Sequence, residues 1–165
     1  MATSKAYVVA ESALEWKSTG GAELLTLTSL ASSAGRQGAL HDFGTSARSA
    51  NFMWRAYVKF ATTPVVGETI NIYWKSSDGT HPDNDDGTGD IAVSAEDKLK
   101  NLTFIGSITV DEASTSPEFV KSGFLFQTAQ HGSPVFWNAT ADALSATATD
   151  HGFILTPVPT QGQAT

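Results

Sequence analysis

The sequence predicts an all-β domain, a two-sheet β-sandwich or jelly roll, and three observations predict it. Apolar residues recur at every second position in several stretches, which is the period of a strand with one buried face. Counting weaker candidates beside these, about eight strand segments are separated by Gly, Pro, Asn and Asp, the count expected of two stacked sheets. Charged residues make up only 16% of the 165-residue chain, below the usual ~25% of soluble proteins. A surface built largely from Ser, Thr, Asn and Gln favours neutral strand faces over salt-bridged helices.

Taken in order, residues 1–20 mix short apolar stretches with Ser and Gly and are read as an extended N-terminal arm outside the core. The sandwich is expected over 21–160, and 161–165 as a frayed tail. Segments 24–29 and 38–43 are weaker strand candidates. Segment 54–60 is a strong one, with Trp54, Ala56, Val58 and Phe60 on one face and Arg55, Tyr57 and Lys59 on the other. Segment 70–75 follows, with Ile70, Ile72 and Trp74 inward. Pro64 and Gly67 between these two strands read as a hairpin. The polar, Asp- and Gly-rich segment 76–89 is a loop, and 94–99 a short helical turn with Ser94 as N-cap. In 102–110, Leu102, Phe104, Gly106, Ile108 and Val110 are expected to share one face. Segments 119–127, 134–138 and 152–157 complete the set, with Gly132-Ser133-Pro134 and Asp150-His151-Gly152 as breakers. No internal repeat or second domain is read.

Charge excludes some functions. The net charge is −7, and the basic residues Arg36, Arg48, Arg55 and Lys59 are scattered, so nucleic acid and anionic membrane surfaces are poor partners. There is no Cys, which excludes disulfides and thiolate chemistry. Residues 1–9 lack the basic segment and apolar run of a secretory leader, and no apolar run approaches the ~20 residues of a membrane-spanning helix.

Motifs for chemistry are sparse. Asp78, Asp83, Asp85, Asp86 and Asp90 crowd one glycine-rich stretch, and close carboxylates suit calcium. The EF-hand spacing fails, because the twelfth position counted from Asp83 is Ser94. A solvated loop is therefore the expectation, with calcium the alternative. His41, His81, His131 and His151 form no metal-ligand spacing, and His41-Asp42 and Asp150-His151 are adjacent, which on a strand sends the two side chains to opposite faces. No nucleophile elbow or phosphate loop occurs. No enzyme activity, metal or other cofactor is predicted. Trp54 and Trp74 belong to the core, and so does Trp137, with a sugar-stacking platform as its alternative. Trp16, in the arm, either packs over its own sandwich or anchors into a neighbour.

Several segments resemble small structural proteins of tailed phages. They are 29–38 followed by Asp42-Phe43-Gly44, the stretch 60–74 with Asp78-Gly79 after it, 98–106, and 138–157. The resemblance spans roughly residues 24–160 and implies a jelly-roll capsid decoration, or cement, protein with no catalytic residues. It also suggests that Arg36 pairs with Asp42 and fixes the corner 29–44; the alternative is that Arg36 reaches a carboxylate on the capsid. The resulting expectation is a sandwich of jelly-roll type that binds the major capsid protein on the outer capsid surface as a homo-oligomer, a trimer being favoured. Trp16, Arg36 and Arg48 are its candidate partner-binding residues. Salt matters little if the contact is mostly apolar. The rival is a carbohydrate-binding or host-recognition module, which gains if Trp137, Tyr73 and Tyr57 line an open groove.

Overall fold

The computed structural model describes residues 6–45 and 49–162. Nearly all of its regular structure is strand, arranged as two sheets packed face to face. The strands are β1 (Ala6–Val8), β2 (Leu14–Lys17), β3 (Glu23–Leu24), β4 (Ala34–Gln37), β5 (His41–Asp42), β6 (Asn51–Val58), β7 (Thr69–Ser77), β8 (Ile91–Val93), β9 (Thr103–Thr109), β10 (Phe119–Phe126), β11 (His131–Asn138), β12 (Gly152–Pro157) and β13 (Thr160–Gly162). One sheet runs β10-β6-β12-β2-β3, the other β8-β4-β11-β7-β9 with β5 also on β11, and β1 pairs with β13 in a separate ribbon. All pairings are antiparallel except β2 with β3.

The core is the space between the sheets. Trp54, Ala56 and Val58 face Ile70, Ile72, Trp74 and Phe136, and Phe153 and Leu155 fill in from β12. Close aromatic packing needs glycine at particular sites. A Cβ on Gly132 would lie 2.4 Å from the Trp74 ring, and one on Gly123 2.8 Å from Trp54. The two glycines therefore let flat indoles lie directly on neighbouring backbone.

Six expectations change. The arm is not outside the core from residue 14 onward: β2 pairs with β12, and Trp16 is fully buried against Trp74 and Phe153, with its indole N–H donating to the Ala39 carbonyl at 2.8 Å. Four residues are too few to show a period, so only the tertiary partners reveal this strand. At the other end, Thr160–Gly162 pairs with β1, so this part of the expected tail is ordered by pairing; 1–5 and 163–165 lie outside the described residues.

The link at Pro64 and Gly67 is not a hairpin. β6 pairs with β10 and β12, and β7 with β11 and β9, so the chain crosses between sheets there. Gly67 has φ +93° and donates its N–H to Val110 O, a left-handed conformation that favours glycine.

The single alternation expected over 102–110 breaks at a register shift. Ile72 pairs with Gly106 and Tyr73 with Phe104, leaving Ile105 as the extra residue of a bulge. Ile105 then packs on the core beside Ile108 and Val110, and Phe104 turns outward to meet Tyr73 edge-on at 5.5 Å.

Pro134 is not a breaker but lies inside β11. Its carbonyl accepts from Gly38 N–H on the side where β4 has ended and β5 not yet begun, so its missing N–H costs no ladder bond to β7. The short turn is a 3-10 helix, Glu96–Leu99, with Ala95 in the cap position and no side-chain cap, so Ser94 does not cap it.

Candidate docking face

The two sheets treat their outer faces differently. On the six-stranded sheet the outward side chains Gln37, Lys75, Val135 and Trp137 are all buried. The segment 78–102 folds over them, and Val93, Leu99 and Leu102 form a second apolar cluster with Val135 and Trp137. Polar bonds fasten this cover. Lys75 Nζ donates to Gly87 O at 2.6 Å and to Gln37 Oε1 at 2.9 Å. Gln37 Nε2 donates on to the Gly87 and Gly89 carbonyls. Burial pushes the Lys75 ammonium below the ordinary lysine range, and the carboxylates of Asp86, Asp83 and Asp85 oppose that push.

The acidic stretch is thus consumed by its own fold. Asp83 accepts the Ser76 amide, Lys98 pairs with Asp85 and Asp86, and backbone amides of His81 and Thr80 hold the Asp78 carboxyl well below the usual range. Among the described residues no group of three or more His, Asp or Glu is placed to hold a metal ion.

Arg36 does not pair with Asp42. Its guanidinium forks onto Asp90 at 2.6 and 2.7 Å, and Asp90 also accepts the Thr26 amide. Burial acts to raise the Asp90 pKa, yet these bonds hold it below the usual value. This fork ties the segment around Thr26 to the cover, which leaves Arg36 committed within its own chain. Asp42 instead accepts from Gly44 N–H and Gln130. Of the other candidate partner residues, Trp16 is core, and Arg48 lies outside the described residues.

On the five-stranded sheet the outward side chains come from β10, β6 and β12. In register, Phe126 lies opposite Asn51, Phe124 opposite Met53, Ser122 opposite Arg55 and Val120 opposite Tyr57. Ile154 flanks Arg55 from the other side. No described segment lies over this face. Phe124 is 76% exposed, Phe126 70%, Met53 45% and Val120 38%. Fully burying a phenylalanine side chain is worth about 1.5–3 kcal/mol, so this strand pair leaves a large apolar contribution unused in the isolated chain.

Sequence reasoning passed over Phe124, Phe126 and Met53. The signal was present in 119–127, where apolar residues occupy both faces of one strand: Phe119 and Leu125 inward, Val120, Phe124 and Phe126 outward. A strand apolar on both faces needs cover on both.

The aromatic residues weighed for a glycan do not share a groove. Trp137 is buried beneath the cover, Tyr73 is half-buried beside Phe104, and Tyr57 lies on the opposite sheet with its ring against Gly152. The histidines are also dispersed. His41 Nδ1 hydrogen-bonds Glu23 Oε1 at 2.7 Å, His131 neighbours Asp42 at 3.6 Å, His81 meets Asp78 on the surface, and His151 is buried. A hollow of about 450 Å³ at one end of the sandwich is lined by Glu11, His41, Asp42, Phe43 and Phe52 among others, with His41 and Asp42 already engaged as described. Comparison with protein-family models and with curated proteins yields no match.

Proposed function

We propose that this chain is a non-enzymatic decoration protein that docks on the outer surface of a phage capsid through the uncovered face of its five-stranded sheet. One observation carries the reading: Phe124, Phe126, Met53 and Val120 stand exposed together on a sheet face, while the chain spends a 25-residue segment covering the opposite sheet. A monomer that left such a patch bare would be prone to association. An aromatic-rich patch is what protein interfaces bury at their centres.

The capsid as partner comes from the resemblance to small phage structural proteins. We read the strand order supporting it, β2-β12-β6-β10 facing β4-β11-β7-β9, as a jelly roll, in which two Greek keys interlock. The major capsid protein is the proposed partner, and a homo-oligomer, a trimer, the proposed state on the shell. Several modest contacts held by one oligomer raise its attachment by effective concentration.

Mass spectrometry and cryo-electron microscopy of virions from the source test the reading. The chain is expected on the shell, with β6 and β10 turned toward the capsid lattice. Virions without the chain would end the decoration reading; a chain attached through another surface would remove this face from it.

A further inference from the structure

We infer that the surface meeting the β6–β10 face is acidic and sets a carboxylate against Arg55 inside a ring of apolar contacts; this rests on the docking reading above. The argument begins with the cations. Lys17 pairs with Glu15, Arg36 with Asp90, Lys59 with Asp150, Lys98 with Asp85 and Asp86, and Lys100 with Asp97. Lys75 is buried and bonded to Gln37 and Gly87. Among the described residues only Arg55 and Lys121 carry neither an ion pair nor such bonds, and both belong to the β6–β10 pair. The chain holds 17 acidic residues against 10 basic ones, so Arg55 is not unpaired for want of carboxylates.

Its setting gives the rest. Ser122 and Ile154 are the cross-strand neighbours of Arg55. Met53 and Tyr57 flank it on the same face of β6, and Val120 and Phe124 occupy the diagonal positions on β10. A guanidinium is planar and more weakly hydrated than an ammonium, and it binds a carboxylate through two parallel N–H bonds. Arginine among apolar and aromatic neighbours is accordingly a common centre of protein interfaces. Lys121, exposed on β10 near Gly106 at the rim between the sheets, adds charge that steers an acidic partner during approach.

A second copy of this chain fits the face poorly. A two-fold contact centred on the patch would bring its two Arg55 side chains together, cation against cation. The occupant is a different protein surface, one carrying carboxylates between apolar side chains.

The test re-dresses heads stripped of this chain with purified variants, and reads the bound fraction by sedimentation. Thermal melting checks that each variant is folded. Arg55→Gln is expected to weaken binding about thirtyfold, the lower end for truncating one partner of a buried charge pair. Arg55→Glu weakens it further, and Arg55→Lys retains part of it. Wild-type affinity falls with added salt, and Arg55→Gln flattens that slope.

If Phe124→Ser with Phe126→Ser weakens binding while Arg55→Gln and Arg55→Glu bind like wild type, the acidic partner is wrong and the docking face survives. If wild type does not bind the heads, the docking reading fails and takes the inference with it. Arg55-dependent binding to phosphatidylserine vesicles, or Arg55-dependent self-association in the ultracentrifuge, replaces the acidic protein partner with a membrane or a second copy and overturns the proposal.

Discussion

The outer faces of the two sheets are made of similar material and meet different fates. Tyr73, Val135 and Trp137 on the six-stranded sheet are as apolar as Met53, Phe124 and Phe126 on the five-stranded one. The first set is covered by 78–102, and the second stands in solvent. What separates them is chain topology. The connection from β7 to β9 is long enough to fold back over its own sheet and is fastened there by Lys75, Gln37 and the Arg36–Asp90 fork, while Lys98 braces it internally onto Asp85 and Asp86. β10 is an edge strand, and both it and β6 pass on to neighbouring elements without a return segment over their outer face. Exposed apolar residues on a sheet therefore carry meaning only relative to what the chain does elsewhere. Where it builds a cover, the apolar face is core; where it does not, the face is available to a partner.

The largest way to break this contrast is to remove the anchor of the covered side. Trp137→Ala should cost about 3–5 kcal/mol, the range for a buried aromatic truncated to alanine, measured by urea unfolding. A loss below 1 kcal/mol would mean the cover does not contribute to folding and the two faces are alike.

Next, Lys75→Met keeps the aliphatic stem and removes the ammonium. Gly87 O and Gln37 Oε1 then lose a buried donor, at about 2 kcal/mol. Hydrogen exchange should quicken within 78–90 before the core strands respond. Uniform exchange across the protein would show that the cover is not a separable layer.

Acid sharpens the contrast. Burial lowers the His151 pKa from its ordinary 6.5, so below that pH the unfolded chain takes up a proton that the folded chain refuses. Stability is full above about pH 6.5 and falls as pH drops, by at most ~1.4 kcal/mol per unit until the folded pKa is reached. His151→Gln should flatten this range. The cover obeys the opposite kind of group. Asp90 has a folded pKa below 3.8, so its contribution is present above that value and lost as pH falls through the folded one. Proteolysis within 78–90 should therefore begin at a lower pH than the decline in melting temperature. Both transitions together near pH 6 would contradict this division.

The smallest expected effect lies on the bare face. Phe124→Ser with Phe126→Ser should change folding stability by no more than about 0.5 kcal/mol per site, as surface substitutions do, measured by thermal melting. A large loss of stability would mean that this face supports the fold rather than a partner.

The long strands β6 and β7, of eight and nine residues, were legible because period-2 patterning over that length is unambiguous, and β10 and β12 fall at the weaker candidates 119–127 and 152–157. The short elements were not. β2, β4 and β8 span only three or four residues, and each is specified by the strand beside it. The bare face was half legible. The outward apolar residues of 119–127 stand in the sequence, but their exposure depends on the absence of a cover.

By itself the sequence determined the strand-forming stretches, the β-sandwich class and the polar loop at 76–89, because side-chain period and turn chemistry are local properties of the chain. Only the tertiary structure decided that Trp16 is core, that Arg36 pairs with Asp90 rather than Asp42, and that one apolar sheet face is covered while the other is bare. Those outcomes depend on which distant segments meet, and partners 54 residues apart in the chain, as Arg36 and Asp90 are, leave no local pattern.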